Sequence, residues 1–207
     1  MKRGGGSSKG SGFERQICKD LSLWWTDGER DDVFWRTPGS GARATVRSKG
    51  GLATYGQYGD VAATDPIGEP LLKFATIEIK RGYNRATPFD LLDALESAGK
   101  QIFQGFLEQA QEQMVEANSY AFWLITKRDR REPIITMPAY AYYQMTEYAG
   151  DYSDKFASPL VLGFDTGIIR SKGAKDSSVT FYSYPLKSFL VWLDPETIRK
   201  SIDDFYS

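Results

Sequence analysis

The segment Phe74–Gly82, FATIEIKRG, limits what this chain can fold into more than any other stretch. Successive side chains on a strand point to opposite faces. Ala75, Ile77 and Ile79 therefore share one face, and Thr76, Glu78 and Lys80 share the other. The first face belongs against a core. The second sets a carboxylate and an ammonium together inside a sheet, where unpaired charge is costly. The preceding predicted strand, Tyr58–Thr64, carries Asp60 near its head, and the connector DPIGEP has the Pro, Gly and Asp chemistry of a turn. With the second strand taken as Lys73–Lys80, that connection puts Asp60 opposite or diagonal to Glu78.

Two readings of this constellation follow. Carboxylates on neighbouring strands make a hard oxygen site, which suits magnesium held by a few carboxylates, waters and phosphate oxygens. A metal there lowers the pKa of bound water and neutralises charge on a phosphoryl transition state. Lys80 then holds the attacking water or stabilises developing negative charge. The plainer reading is a salt bridge between Glu78 and Lys80 on a solvated strand face. Asp65 precedes Pro66 and reads as the initiator of the turn.

Composition narrows the chemistry. The chain has no histidine, which removes Ser-His-Asp triads, histidine general bases and His-ligated zinc. Its one cysteine, Cys18, forms no intrachain disulfide and lies in an apolar helical pattern, as a core thiol does. A reducing, cytoplasmic compartment is expected. Net charge is −1, yet residues 33–59 hold Arg36, Arg43, Arg47 and Lys49 without an acid, and Lys2, Arg3 and Lys9 add a second basic stretch. Such local patches suit nucleic acid. Residues 1–10 read as a flexible basic arm and not as a signal peptide, and no run approaches the roughly 20 apolar residues of a membrane span. No phosphate loop, dinucleotide fingerprint or nucleophile elbow is present.

The remaining pattern alternates helix and strand. Phe13, Ile17, Leu21 and Trp24 predict a helix over about 13–25, opened by Ser11 and closed by Asp27-Gly28. Asp32–Thr37 reads as a strand and PGSGARATVRSKGG as a loop. A long helical region starts at Thr87-Pro88 and runs to about Asn118, with a break near Gly99. Ile102, Phe103, Phe106, Leu107, Ala110 and Met114 form its inner stripe. Tyr120–Thr126 and Pro133–Met137 pair around the charged turn KRDRRE. Past Pro138, PLVLGF and SVTFYSY predict strands, and Asp194-Pro195 starts a last helix. The order implies an α/β domain around a mixed sheet.

Glu14 has two readings: the N3 partner of Ser11 in a capping box, or a carboxylate reaching from the helix edge into the site. Ser40 sits either in a simple turn or in a glycine loop that presents backbone N–H groups to a phosphate between Arg36 and Arg43. Gln101, Gln104 and Gln109 read as ordinary helix-surface residues.

Taken in order, Asp60 and Glu78-Ile79-Lys80 resemble the PD-(D/E)XK, or restriction endonuclease-like, nuclease superfamily, with Gly59 standing where the motif has proline. Within it, Glu14-Arg15, Arg36, Ser40-Gly41 and Asp60-Val61 resemble the archaeal-type Holliday junction resolvases. The resemblance spans about residues 11–137. It implies a restriction endonuclease-like core with a mixed central sheet flanked by helices over 11–137, and a C-terminal α+β extension packed on it over 138–207. It implies Glu14, Asp60 and Glu78 as ligands of Mg2+, with Mn2+ as a substitute, and Lys80 and Ser40 at the water or the scissile phosphate. Arg36, Arg43, Arg47 and Lys49 would grip DNA. A homodimer acting on branched or duplex DNA, in recombination or repair, is implied as well. Exonuclease-like relatives carry a glutamine on the helix after the Glu-x-Lys strand, so an exonucleolytic, restriction-type or repair nuclease is a second expectation. A DNA-binding module without catalysis is a third.

Overall fold

The computed structural model describes residues 5–37, 58–91, 99–156, 159–164 and 179–206. Helix α1 (Gly5–Trp25) buries Phe13, Ile17, Cys18, Leu21 and Trp25 along one stripe, as the helical spacing requires. Trp25 completes the stripe in place of Trp24, which is half-buried and donates its indole N–H to the Leu193 carbonyl at 2.8 Å. The helix runs back to Gly5, into the segment expected as an arm, so Ser11 lies inside it and not at its N-cap. It ends as expected, with Asp27 (φ 53°) and Gly28 (φ 86°) in left-handed backbone and the Gly28 N–H on the Leu23 carbonyl.

Strands β1 (Phe34–Arg36) and β2 (Val61–Ala63) form a separate antiparallel pair. Asp65 then accepts the Ile67 N–H and opens a 3-10 turn, Pro66–Gly68, the role its place before proline predicts. The rest of the connector is helical instead of a plain turn: α2 (Glu69–Phe74) takes in Lys73, and β3 (Ala75–Arg81) starts two residues later than the alternation suggests. Leu71, Leu72 and Phe74 give that short helix a buried face, which outweighs the turn propensity of its first residues.

A 3-10 turn, Pro88–Leu91, opens with Asp90 bonding the Thr87 N–H and hydroxyl. Helix α3 (Ile102–Ala117) follows, stopped by Asn118 in left-handed backbone. Next come β4 (Ala121–Lys127) and β5 (Ile134–Pro138), the antiparallel pair read around KRDRRE. Helix α4 (Ala139–Ala149), rich in tyrosine, has no counterpart among the expected elements; Ala141, Tyr142 and Met145 bury its inner face. Strands β6 (Leu160–Phe164) and β7 (Val179–Pro185), then α5 (Leu186–Trp192) and α6 (Pro195–Tyr206), complete the chain.

The main sheet is five-stranded and mixed, in the order β3-β4-β5-β7-β6. β3 and β4 run parallel, with Glu78 beside Leu124 and Lys80 beside Thr126. The other neighbours are antiparallel. One face carries Ile77, Ile79, Trp123, Ile125 and Ile135 against α1, α4, α5 and α6. The other carries Phe122, Leu124 and Phe181 against Phe103, Phe106, Leu107 and Ala110 of α3. Ile102, expected in that inner stripe, is exposed at the helix start. This is the α/β architecture of a restriction endonuclease-like core, a mixed sheet flanked by helices. Most large rings are structural: Trp123 packs edge-on against Phe74 and Phe189, with centroids 6.2 Å and 5.4 Å away. Among the described residues, no helix is long and apolar enough to cross a membrane.

Candidate active site

Asp60 reaches β3 by a different route from strand pairing. β2 pairs with β1, and Asp60 precedes β2 in a bend where Gly59 has φ 77°. The Asp60 N–H donates to the Ile77 carbonyl at 2.8 Å, and the Ile79 N–H donates to Asp60 Oδ2 at 2.8 Å. The Asp60 carbonyl in turn accepts the Thr37 N–H at 3.0 Å. One residue thus clips the small β1–β2 pair to β3 and holds its carboxylate beside Glu78. Proline, fixed near φ −65°, cannot take the conformation that Gly59 has, so its absence from this position follows from the local backbone.

The strand face bearing Thr76, Glu78 and Lys80 is buried, because α3 lies over it. Glu78 is 1% exposed. Its Oε1 receives both the Lys80 ammonium and Nε2 of Gln109, the latter at 2.9 Å. Gln109 Oε1 accepts a second bond from Lys80 Nζ at 3.0 Å, and that ammonium stands 5.7 Å from the centre of the Phe106 ring. The three side chains form a closed triangle. Of Gln101, Gln104 and Gln109, only Gln109 enters it, since Gln101 bonds the Gly99 carbonyl and Gln104 bonds Glu108. Its position directly before buried Ala110, three residues after Phe106, is the signal that separates it from the others.

Burial pushes the Glu78 carboxyl up to about 7; the charge of Asp60 adds to this and the charge of Lys80 opposes it. Glu78 Oε2 is buried and accepts no hydrogen bond. A buried carboxylate oxygen without a donor, facing a second carboxylate, matches a hard divalent cation, which would satisfy both at once. Among the described residues no three His, Cys, Asp or Glu side chains converge as metal ligands, so these two acids would share a cation with water or phosphate oxygens.

Glu14 and Arg36 pair at 2.8 Å between α1 and β1. Cys18, one turn along α1, is buried and has its thiol pushed up to about 12, by burial first and then by the charges of Glu14 and Asp60, with Arg36 opposing. The charges of Glu14, Asp60 and Arg36 all act on this one buried thiol, which stays protonated and is no nucleophile. The capping role for Glu14 falls with the helix start at Gly5. Ser40, Arg43, Arg47 and Lys49 lie outside the described residues.

A family model described as "Phage putative PDDEXK endonuclease" matches residues 5–158, about three quarters of the chain. No curated protein and no solved structure matches the chain significantly. The match covers α1 through α4, and so includes Glu14, Asp60, Glu78, Lys80 and Gln109. It supports a nuclease of the PD-(D/E)XK superfamily, with DNA as its substrate, and does not single out the archaeal resolvase type. On that match the chain belongs to the phage PDDEXK endonuclease family.

Proposed function

We propose that this protein is a divalent-metal-dependent DNA endonuclease, with Asp60, Glu78, Lys80 and Gln109 as its centre. The observation that carries the reading is the buried Glu78 carboxylate, which has one oxygen on Lys80 and Gln109 and the other without a donor beside Asp60. Asp60 and Glu78 would hold Mg2+, with Mn2+ as a substitute, and Glu14, paired with Arg36, is proposed as a further carboxylate serving the ion. The ion, when bound, supplies an acidified water and positive charge on the phosphate. Asp60 is oriented by the Ile79 N–H, and Glu78 by Gln109. Lys80 would stabilise negative charge on the phosphate oxygens as water adds to phosphorus and the bond to the leaving sugar oxygen breaks. Arg36, which pairs with Glu14, is proposed to contact the DNA backbone together with Ser40, Arg43, Arg47 and Lys49.

For the finer substrate class, the ordered set Glu14-Arg15, Arg36, Ser40-Gly41 and Asp60-Val61 favours branched DNA cut by a symmetric homodimer. Gln109 favours a second reading, an exonucleolytic or repair nuclease of the same fold, because it meets both Glu78 and Lys80. A cleavage assay on four-way junction, flap, duplex and single-stranded DNA, with and without Mg2+, separates them. Paired nicks in the junction support the first and a ladder from one terminus supports the second. Lys80→Ala is expected to bind DNA and fail to cut; a variant as active as the parent removes Lys80 from the mechanism.

A further inference from the structure

Two loops meet at the end of β3 and β4 where Lys80 lies. Residues 82–87 follow β3, and residues 128–133 join β4 to β5. They are tied together: the Gly82 N–H bonds the Lys127 carbonyl, Asn84 Nδ2 donates to Asp129 at 3.1 Å, and the Asp129 N–H donates to Asn84 Oδ1 at 2.7 Å. Arg85, Arg128, Arg130 and Arg131 are exposed here, and none forms a salt bridge among the described residues. Arg81 and Lys127 turn to the opposite face, each 5.6 Å from the Phe13 ring.

Two aromatic rings stand out of the same surface, Tyr83 at 50% and Phe89 at 57% exposure. Tyr83 lies edge-on to Phe106 with centroids 4.9 Å apart, and Phe106 carries the Lys80 ammonium above its ring. The ring surface is therefore continuous with the candidate catalytic centre. Beside it a cavity of about 270 Å³ is lined by Phe89, Thr126, Arg128, Arg131, Glu132 and Tyr184 among others. Thr126 is the parallel-strand neighbour of Lys80, so the cavity opens one strand away from the site.

Exposed apolar rings between arginines are what an unpaired strand needs: every base offers a face for stacking, and the cations follow the phosphates. A duplex backbone would use the arginines and leave the rings unburied. We infer, resting on the nuclease reading above, that this surface binds a single-stranded segment of DNA next to the cut. Tyr83 and Phe89 serve as the stacking platform, and the cavity receives one splayed base. The substrate then has an unpaired region at the cleavage position, as flaps and branch points do.

The test is binding without cleavage, in EDTA, of a labelled thymidine 15-mer and a duplex of the same length. The parent is expected to prefer the single strand. The double variant Tyr83→Ser, Phe89→Ser, both at exposed positions, is expected to lose about tenfold in single-strand affinity and less than about twofold in duplex affinity. Arg128→Ala with Arg131→Ala should weaken both and flatten the salt dependence. A parent that prefers duplex or binds neither DNA, or ring variants that bind the single strand as the parent does, overturns the inference. The nuclease reading fails separately, when the parent binds as expected and hydrolyses none of the four DNAs with Mg2+.

Discussion

Gly59 lies so close to Ile77 that a Cβ added to it would meet the Ile77 carbonyl oxygen at 2.6 Å. That carbonyl is also the acceptor of the Asp60 N–H. The contact presses the bend before β2 onto β3 and sets where the Asp60 carboxylate stands. Gly59→Ala introduces a side chain at φ 77° and a clash with backbone that cannot rotate away. A loss of roughly 1–3 kcal/mol is expected in urea unfolding, together with loss of cleavage even where the fold persists. Parent-like stability and activity would show that Asp60 is positioned otherwise.

Gln109 bridges Glu78 and Lys80 without itself carrying charge. Gln109→Ala leaves both groups in place and removes what orients them. By analogy with the partners that orient metal ligands, Mg2+ affinity or activity is expected to fall about 10- to 100-fold. A magnesium titration of the cleavage rate measures this, and unchanged half-saturation and rate would make Gln109 a bystander.

The Glu78 carboxyl holds its proton up to about 7, against an ordinary value of 4.5. Between those values the folded chain binds more protons than the unfolded one, so metal-free stability falls as pH rises across the window. Metal binding requires the ionised form and competes with that proton. At limiting Mg2+, cleavage is expected to rise with pH and level off above about 7, with the midpoint moving to lower pH as Mg2+ increases. In Glu78→Gln the stability slope from this group should vanish. A profile flat from pH 5 to pH 8 at low Mg2+ would contradict the assignment.

Trp123, on β4 beside Ile77, is fully buried, and its indole N–H has no acceptor. Trp123→Ala opens a cavity among Trp24, Phe74 and Phe189 and should cost about 3–5 kcal/mol. Trp123→Phe loses some packing and also removes the unsatisfied donor, so a cost of no more than about 1 kcal/mol is expected. Denaturant midpoints of the two variants compare them directly, and equal losses would mean that the orphaned N–H costs nothing.

The sequence by itself determined what depends on neighbours a few residues apart. The two-residue period of β3 already put Glu78 and Lys80 on one face. Asp65 before Pro66 and Asp27-Gly28 marked a turn and a helix end that stand as read. The β4–β5 hairpin followed from two apolar runs around one charged turn. Local alternation missed α4, because its tyrosines suit a strand equally and only contacts with the sheet decide for helix.

Only the tertiary structure decided the chemistry of the site. That α3 covers the charged face of β3 cannot be read from either segment, yet it buries Glu78 and raises its pKa. The choice of Gln109 over Gln101 and Gln104 and the pairing of Glu14 with Arg36 join residues 22 or more apart. The attachment of Asp60 through the backbone of Ile77 and Ile79 likewise depends on how separate elements meet. Periodicity and turn chemistry are properties of adjacent peptide units. Burial, dielectric and long-range hydrogen-bond partners arise only where elements cross, and at this site those crossings set the protonation and orientation of each acid.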